Sequence, residues 1–168
     1  FPYTTLFRSP GFYYIITKFW MFLGIEDRFF WVSSFRLLSS LLGFNSIFIL
    51  SYASTFFFQK NWQEKWQVIL INTLWFLPFI HARISSEGVG SSIFTTGFAL
   101  LLLSYFKDGW RSNSRLFGIG ALFGLSFLFR YHIGIMIFPA VVWGLCTKKI
   151  NIKEFFITSF GVCAPIVI

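Results

Sequence analysis

The chain has 168 residues, of which 56% are hydrophobic and only 12% charged, with a formal net charge of +8 and a mean hydropathy of +0.70. Soluble domains carry roughly a quarter charged residues, and a soluble domain of this length would have too little polar surface to cover itself. The basic excess sits in short breaks between apolar runs, which speaks against a nucleic-acid partner and leaves lipid as the fitting solvent.

In lipid the backbone must satisfy its own hydrogen bonds, so spanning elements are helices or closed barrels. The apolar runs are continuous rather than alternating, which predicts helices. The expected fold class is all-α integral membrane: a polytopic transmembrane helix bundle with about five or six spans.

In chain order, residues 1–9 (FPYTTLFRS) resemble the translation of a common sequencing-library adapter. On that reading they are an artefact outside fold reasoning. The natural sequence then starts at Pro10, and 10–168 is a fragment of one polytopic transmembrane domain that stops inside an apolar run. Residues 11–24 are apolar but short, with Lys18 inside, and fit either an interfacial helix or the end of a span. Glu26, Asp27 and Arg28 break the pattern. The apolar stretch from about 29 to 58 exceeds the ~20 residues a crossing needs, so it tilts or projects. QKNWQEK (59–65) ends it. Further spans are predicted near 66–80 and 91–106, separated by HARISSEGVG (81–90) and followed by KDGWRSNSR (107–115). Residues 116–146 read as two short helices turning at Arg130. TKKINIKE (147–154) is the next break, and a last span starts near Phe155.

The charges sort by side. Alternate breaks carry Lys60 and Lys65, then Lys107, Arg111 and Arg115, then Lys148, Lys149 and Lys153. Those between them carry one arginine each: Arg28, Arg83 and Arg130. The richer set belongs in the cytoplasm. Trp62, Trp66 and Trp110 sit at its edges, as interfacial aromatics do. Splitting 116–146 at Arg130 keeps this alternation; one long helix would turn TKKINIKE outward. The location implied is a multi-pass protein of a bacterial inner membrane, or of the endoplasmic reticulum if eukaryotic, with the second set of breaks on the extracytoplasmic face.

That face gathers the candidate chemistry. His81, Arg83, Ser85, Ser86 and Glu87 lie in one break, and Arg130, Tyr131 and His132 in another. Charges at membrane depth usually line a polar pathway, and the arginine fork suits phosphate. Two arginines from separate breaks fit a phosphate or pyrophosphate at the bilayer surface. Glu87 pairs with Arg83 if that stretch is helical, or contacts a sugar hydroxyl. The plainer alternative is a surface arginine in each loop, snorkelling to headgroups. Arg36, inside the long span, snorkels outward or caps a polar pocket. Cys146 and Cys163 lie in apolar runs without metal spacing and read as packing residues. There is no metal-spaced cluster, phosphate-cradling glycine loop or nucleophile elbow.

Four stretches carry a family resemblance. Arg36-Leu37-Leu38-Ser39-Ser40-Leu41-Leu42-Gly43 resembles a helix start in many GT-C glycosyltransferases. Ala82-Arg83-Ile84-Ser85-Ser86-Glu87 is similar to the short arginine-containing loop of glycosyltransferase family 22, which includes mannosyltransferases of N-glycan and GPI-anchor assembly and has bacterial relatives. Gly124-Leu125-Ser126-Phe127-Leu128-Phe129-Arg130-Tyr131-His132 looks like another segment of that family. Pro10-Gly11 with the aromatics after it resembles the stretch following the family's first outer loop. The matches keep their order along nearly all of 10–168. The resemblance implies a mannosyltransferase-like membrane enzyme, passing a sugar from a polyprenyl-phosphate carrier to a glycan or lipid acceptor on the extracytoplasmic face, without a metal or other cofactor. By position, Arg83 and Arg130 would bind the lipid phosphate and stabilise the leaving group, with Glu87 and His132 as second choices for sugar or acceptor. The catalytic base, an acidic residue of the first outer loop, would lie upstream of Pro10, so this stretch alone should be inactive. A polytopic transporter or flippase, and a surface-polysaccharide polymerase or ligase, are the alternatives. The apparent lack of an internal repeat, and charges at helix ends rather than mid-span, weigh against transport.

Overall fold

The structure is a computed structural model that describes residues 8–56, 65–66, 86–107, 109–129, 131–146 and 151–167. Among the described residues every regular element is helical. The elements are α1 (Arg8–Phe22), α2 (Arg28–Thr55), α3 (Ser86–Phe106), α4 (Asn113–Phe129), a 3-10 turn (Tyr131–Ile133), α5 (Gly134–Cys146) and α6 (Ile152–Val167). α1 begins at Arg8 and runs across the boundary drawn after residue 9. The span predicted at 66–80 lies outside the described residues, apart from Trp66, which is exposed.

α2 has 28 residues, about 42 Å of helix at 1.5 Å per residue. It exceeds the ~30 Å hydrocarbon core, as its sequence led one to expect. Residues 28–55 and 88–106 are both long and apolar enough to cross a membrane. α4 is apolar but shorter, at 17 residues. The chain does turn near residue 130: α4 stops at Phe129, the 3-10 turn follows, and α5 starts at Gly134. The break expected over 81–90 is shorter on its C-terminal side. α3 has already begun at Ser86, which puts Glu87 in its first turn rather than in a loop.

α1 folds back on the first turns of α2. Gly24, at φ 76°, takes the left-handed conformation that lets the chain reverse. The Asp27 carboxylate caps α2 by accepting from the Phe29 N–H at 2.9 Å. Trp31 Nε1 donates to the Ile25 carbonyl at 2.9 Å and ties the turn down. Edge-on ring contacts pair Trp20 with Phe30 and Tyr13 with Phe35, each at 5.1 Å.

The helix directions follow from their contacts. Ala53, near the end of α2, packs with Ala99 and Leu103, near the end of α3. These two helices therefore run parallel. α4 runs antiparallel to α3: Leu116 and Ile119 pack with Leu101, while Phe129 lies beside Gly90. α6 runs parallel to α4, and the pair is the most intimate in the bundle. A methyl group on Gly120 would overlap the Thr158 carbonyl oxygen and lie 3.0 Å from Gly161 Cα; one on Gly124 would overlap the Val162 carbonyl oxygen. Glycines four apart let the two backbones touch, the small-residue packing used between helices in lipid. Trp143 of α5 meets Tyr105 of α3 with ring centroids 5.8 Å apart, so α5 runs parallel to α3.

Buried serines and alanines share the interior of this bundle with large apolar side chains, Phe123, Leu101, Leu116 and Ile119, and many further large apolar side chains stand outward. Ser39, Ser46, Ser54, Ser92, Ser104, Ser126 and Thr158 are buried with Ala53 and Ala99. Most of these hydroxyls return their hydrogen bonds to their own helix, as in Ser46 to the Gly43 carbonyl at 2.7 Å and Ser126 to the Phe123 carbonyl at 2.8 Å. Phe48, Phe138 and Phe160 meanwhile stand outward, 64%, 72% and 72% exposed.

Candidate functional site

The helix directions give the bundle two polar ends. The starts of α2, α3 and α5 and the end of α4 share one of them. There Gly90 presses against the 3-10 turn: a methyl group on it would lie 3.1 Å from both Ile133 Cδ1 and Phe129 Cβ. Glycine allows this approach of α3 to the turn. The contact brings together two stretches that are more than forty residues apart in sequence. Glu87 lies one turn before Gly90, and exposed His132 lies next to Ile133. Both candidates therefore sit at one end of the bundle, together with Arg28, which is exposed at the start of α2. Arg83, Arg130 and His81 lie outside the described residues, as does any Arg83–Glu87 pair. Arg36 is exposed two turns into α2.

The other end carries the basic breaks. Lys107 Nζ donates to Tyr52 Oη at 2.9 Å and lies over the Tyr52 and Phe56 rings at 5.3 Å each. Arg115 donates to the Trp110 carbonyl at 2.8 Å and stacks on the Trp110 ring at 4.8 Å, a cation–π contact. Arg111 forms an ion pair with Glu154. Glu154 also accepts from the Asn151 N–H at 2.8 Å, three residues back, as a glutamate does in the first turn of a helix. One carboxylate thus caps α6 and ties its start to the turn before α4. Gly109, at φ 73°, lets the chain bend tightly between α3 and α4.

Between the ends, two clefts open along α6. One, of about 380 Å³, lies among α4, α5 and α6 against Phe127, Gly134, Phe138 and Cys163. Cys163 is exposed there, on the helix surface, and does not pack in the interior as its apolar surroundings suggested. The other, of about 460 Å³, lies nearer the basic end, between Phe117 and the first half of α6. Among the described residues no three histidine, cysteine, aspartate or glutamate side chains gather in a metal-binding group.

Two features escaped the reading of the sequence, though each had a signal. Gly120 and Gly124 spell the small-xxx-small pattern within an apolar run. Asn151 and Glu154 have the spacing of a helix start. No family model, curated protein or solved structure matches the chain.

Proposed function

We propose that the chain belongs to an integral-membrane, multi-pass glycosyltransferase of the GT-C type, mannosyltransferase-like, using a polyprenyl-phosphate sugar as donor and a glycan or lipid as acceptor. The observation that carries this reading is the meeting of two stretches, the first turn of α3 with Glu87 and the turn with His132, at the end opposite the basic breaks. Each is flanked in sequence by an arginine, Arg83 and Arg130. Helix starts carry partial positive charge, and α3 and α5 both begin here, which suits a phosphate. Large apolar side chains on the outside, with buried serines between the helices, support immersion in lipid.

In this reading Arg83 and Arg130 hold the donor phosphate and stabilise the negative charge that grows on it as the sugar leaves. Glu87 and His132 contact the sugar or the acceptor. The base that deprotonates the acceptor hydroxyl comes from an outer loop upstream of Pro10. In this reading the chain crosses the bilayer about five or six times, and the basic breaks, being cytoplasmic, leave this end outside the cytoplasm. The test uses the full-length protein in membranes with a polyprenyl-phosphate sugar donor. Arg83→Ala and Arg130→Ala should each lower transfer on the order of a hundredfold or more, the scale for losing one stabiliser of transition-state charge, while the protein remains folded. Retention of activity by both variants would remove the assignment.

A further inference from the structure

The cleft between Phe117 of α4 and the first half of α6 points to a binding site for an anionic phospholipid. It would hold one acyl chain along the helix and the headgroup phosphate at Lys153. This rests on the membrane part of the proposed function and is independent of sugar transfer.

The cleft holds about 460 Å³ and is lined by Phe117, Lys153, Phe156, Ile157 and Phe160. On α6 these fall at 153, 156, 157 and 160, the spacing of one helix face. The cleft therefore runs lengthwise, with its charged residue at the basic end and its aromatics toward the middle of the bundle. An acyl chain lies in that direction beside a spanning helix. Phe156 and Phe160 are 65% and 72% exposed and need an apolar cover. Lysine is suited to the mouth, because its stem lies along apolar surface while its ammonium reaches the headgroup level.

The charge at the mouth selects the headgroup. Glu154, next to Lys153, is already taken up by Arg111 and by the Asn151 N–H. Lys153 itself is exposed, so its ammonium is open to a headgroup. A second copy packed here about a twofold axis along the helices would face Lys153 with another Lys153. A phosphate diester of net negative charge complements the site, and a zwitterionic headgroup does so less well.

The experiment is lipid retention. The complete chain, purified in mild detergent, is mixed with micelles of equal phosphatidylglycerol and phosphatidylcholine, and bound lipid is counted by native mass spectrometry. Phosphatidylglycerol should be retained preferentially. Lys153→Gln should reduce that preference about fivefold, the effect of one basic residue at an anionic membrane surface, and leave phosphatidylcholine binding unchanged. Phe160→Ala should weaken retention of both lipids. Equal retention of the two lipids by the unmodified chain, or a Lys153→Gln variant with undiminished preference, overturns the inference. So does lipid-independent crosslinking of two copies through Phe156→Cys. Alkaline carbonate extraction separates the two levels: a chain washed off membranes removes the membrane reading and this site together. A chain that stays in the membrane yet shows no lipid preference removes the site alone.

Discussion

Gly118 and Gly120 stand two residues apart in α4, yet their surroundings are opposite. A methyl group at Gly118 meets nothing within 4 Å, whereas one at Gly120 would overlap the Thr158 carbonyl oxygen. The obstruction is backbone, so α6 as a whole would have to move. Gly120→Ala should lower stability by about 1–3 kcal/mol, the scale of overpacking. Gly118→Ala should be neutral or gain up to about 1 kcal/mol from helix propensity. Unfolding of the two variants in detergent with increasing sodium dodecyl sulfate measures the difference. Hydropathy could not separate these glycines, because it reports the solvent a residue prefers and not the helix it will face. The spacing of Gly120 and Gly124 did carry the information, within a run that the average hydropathy made uniform. Gly90 is a third case, legible only once its neighbour at Ile133 is known.

At the scale of the element, α6 is set at its start by Glu154. Its pair with Arg111 is partly open, with the arginine side chain 39% exposed, so solvent screens it. Arg111→Ala should lower stability by only about 0.5 kcal/mol. Glu154→Ala should lose about 1 kcal/mol more, because the Asn151 N–H also loses its acceptor. A double-mutant cycle followed by thermal unfolding in detergent isolates the pair. The helix bounds show how far element structure could be read. The turn near residue 130 was legible, because Arg130, Tyr131 and His132 interrupt an apolar run and the charge alternation demanded a reversal. The start of α3 was not. Ser85, Ser86 and Glu87 look like loop residues on a polarity scale, and the helix recruits two of them because serine and glutamate suit a first turn.

For the whole molecule, the sorting of the basic breaks was read from charge, and the helix directions agree with it. Lys107, Arg111, Arg115 and Lys153 share one end, while Arg28, Glu87 and His132 share the other. In a chain with Cys146 and Cys163 replaced by alanine, Ser112→Cys should react with an impermeant maleimide only from the cytoplasmic side of sealed vesicles. Labelling from outside would invert the proposed topology. The candidate site was legible less fully. Charge and resemblance singled out Arg83, Glu87, Arg130 and His132, and the described residues join only the two stretches that carry Glu87 and His132. Which phenylalanines turn inward was not legible either, since composition counts them without saying that Phe123 faces the other helices while Phe48, Phe138 and Phe160 stand outward.

The seam between α4 and α6 also has a consequence in time. Gly161 is made about forty residues after Gly120, and chain synthesis adds about 5–20 residues per second. For several seconds a newborn α4 presents a bare glycine face with no partner, while α5, the helix made next, runs the opposite way. Assembly of this bundle therefore includes a waiting period, and whatever shelters Gly120 and Gly124 during it must leave when α6 arrives.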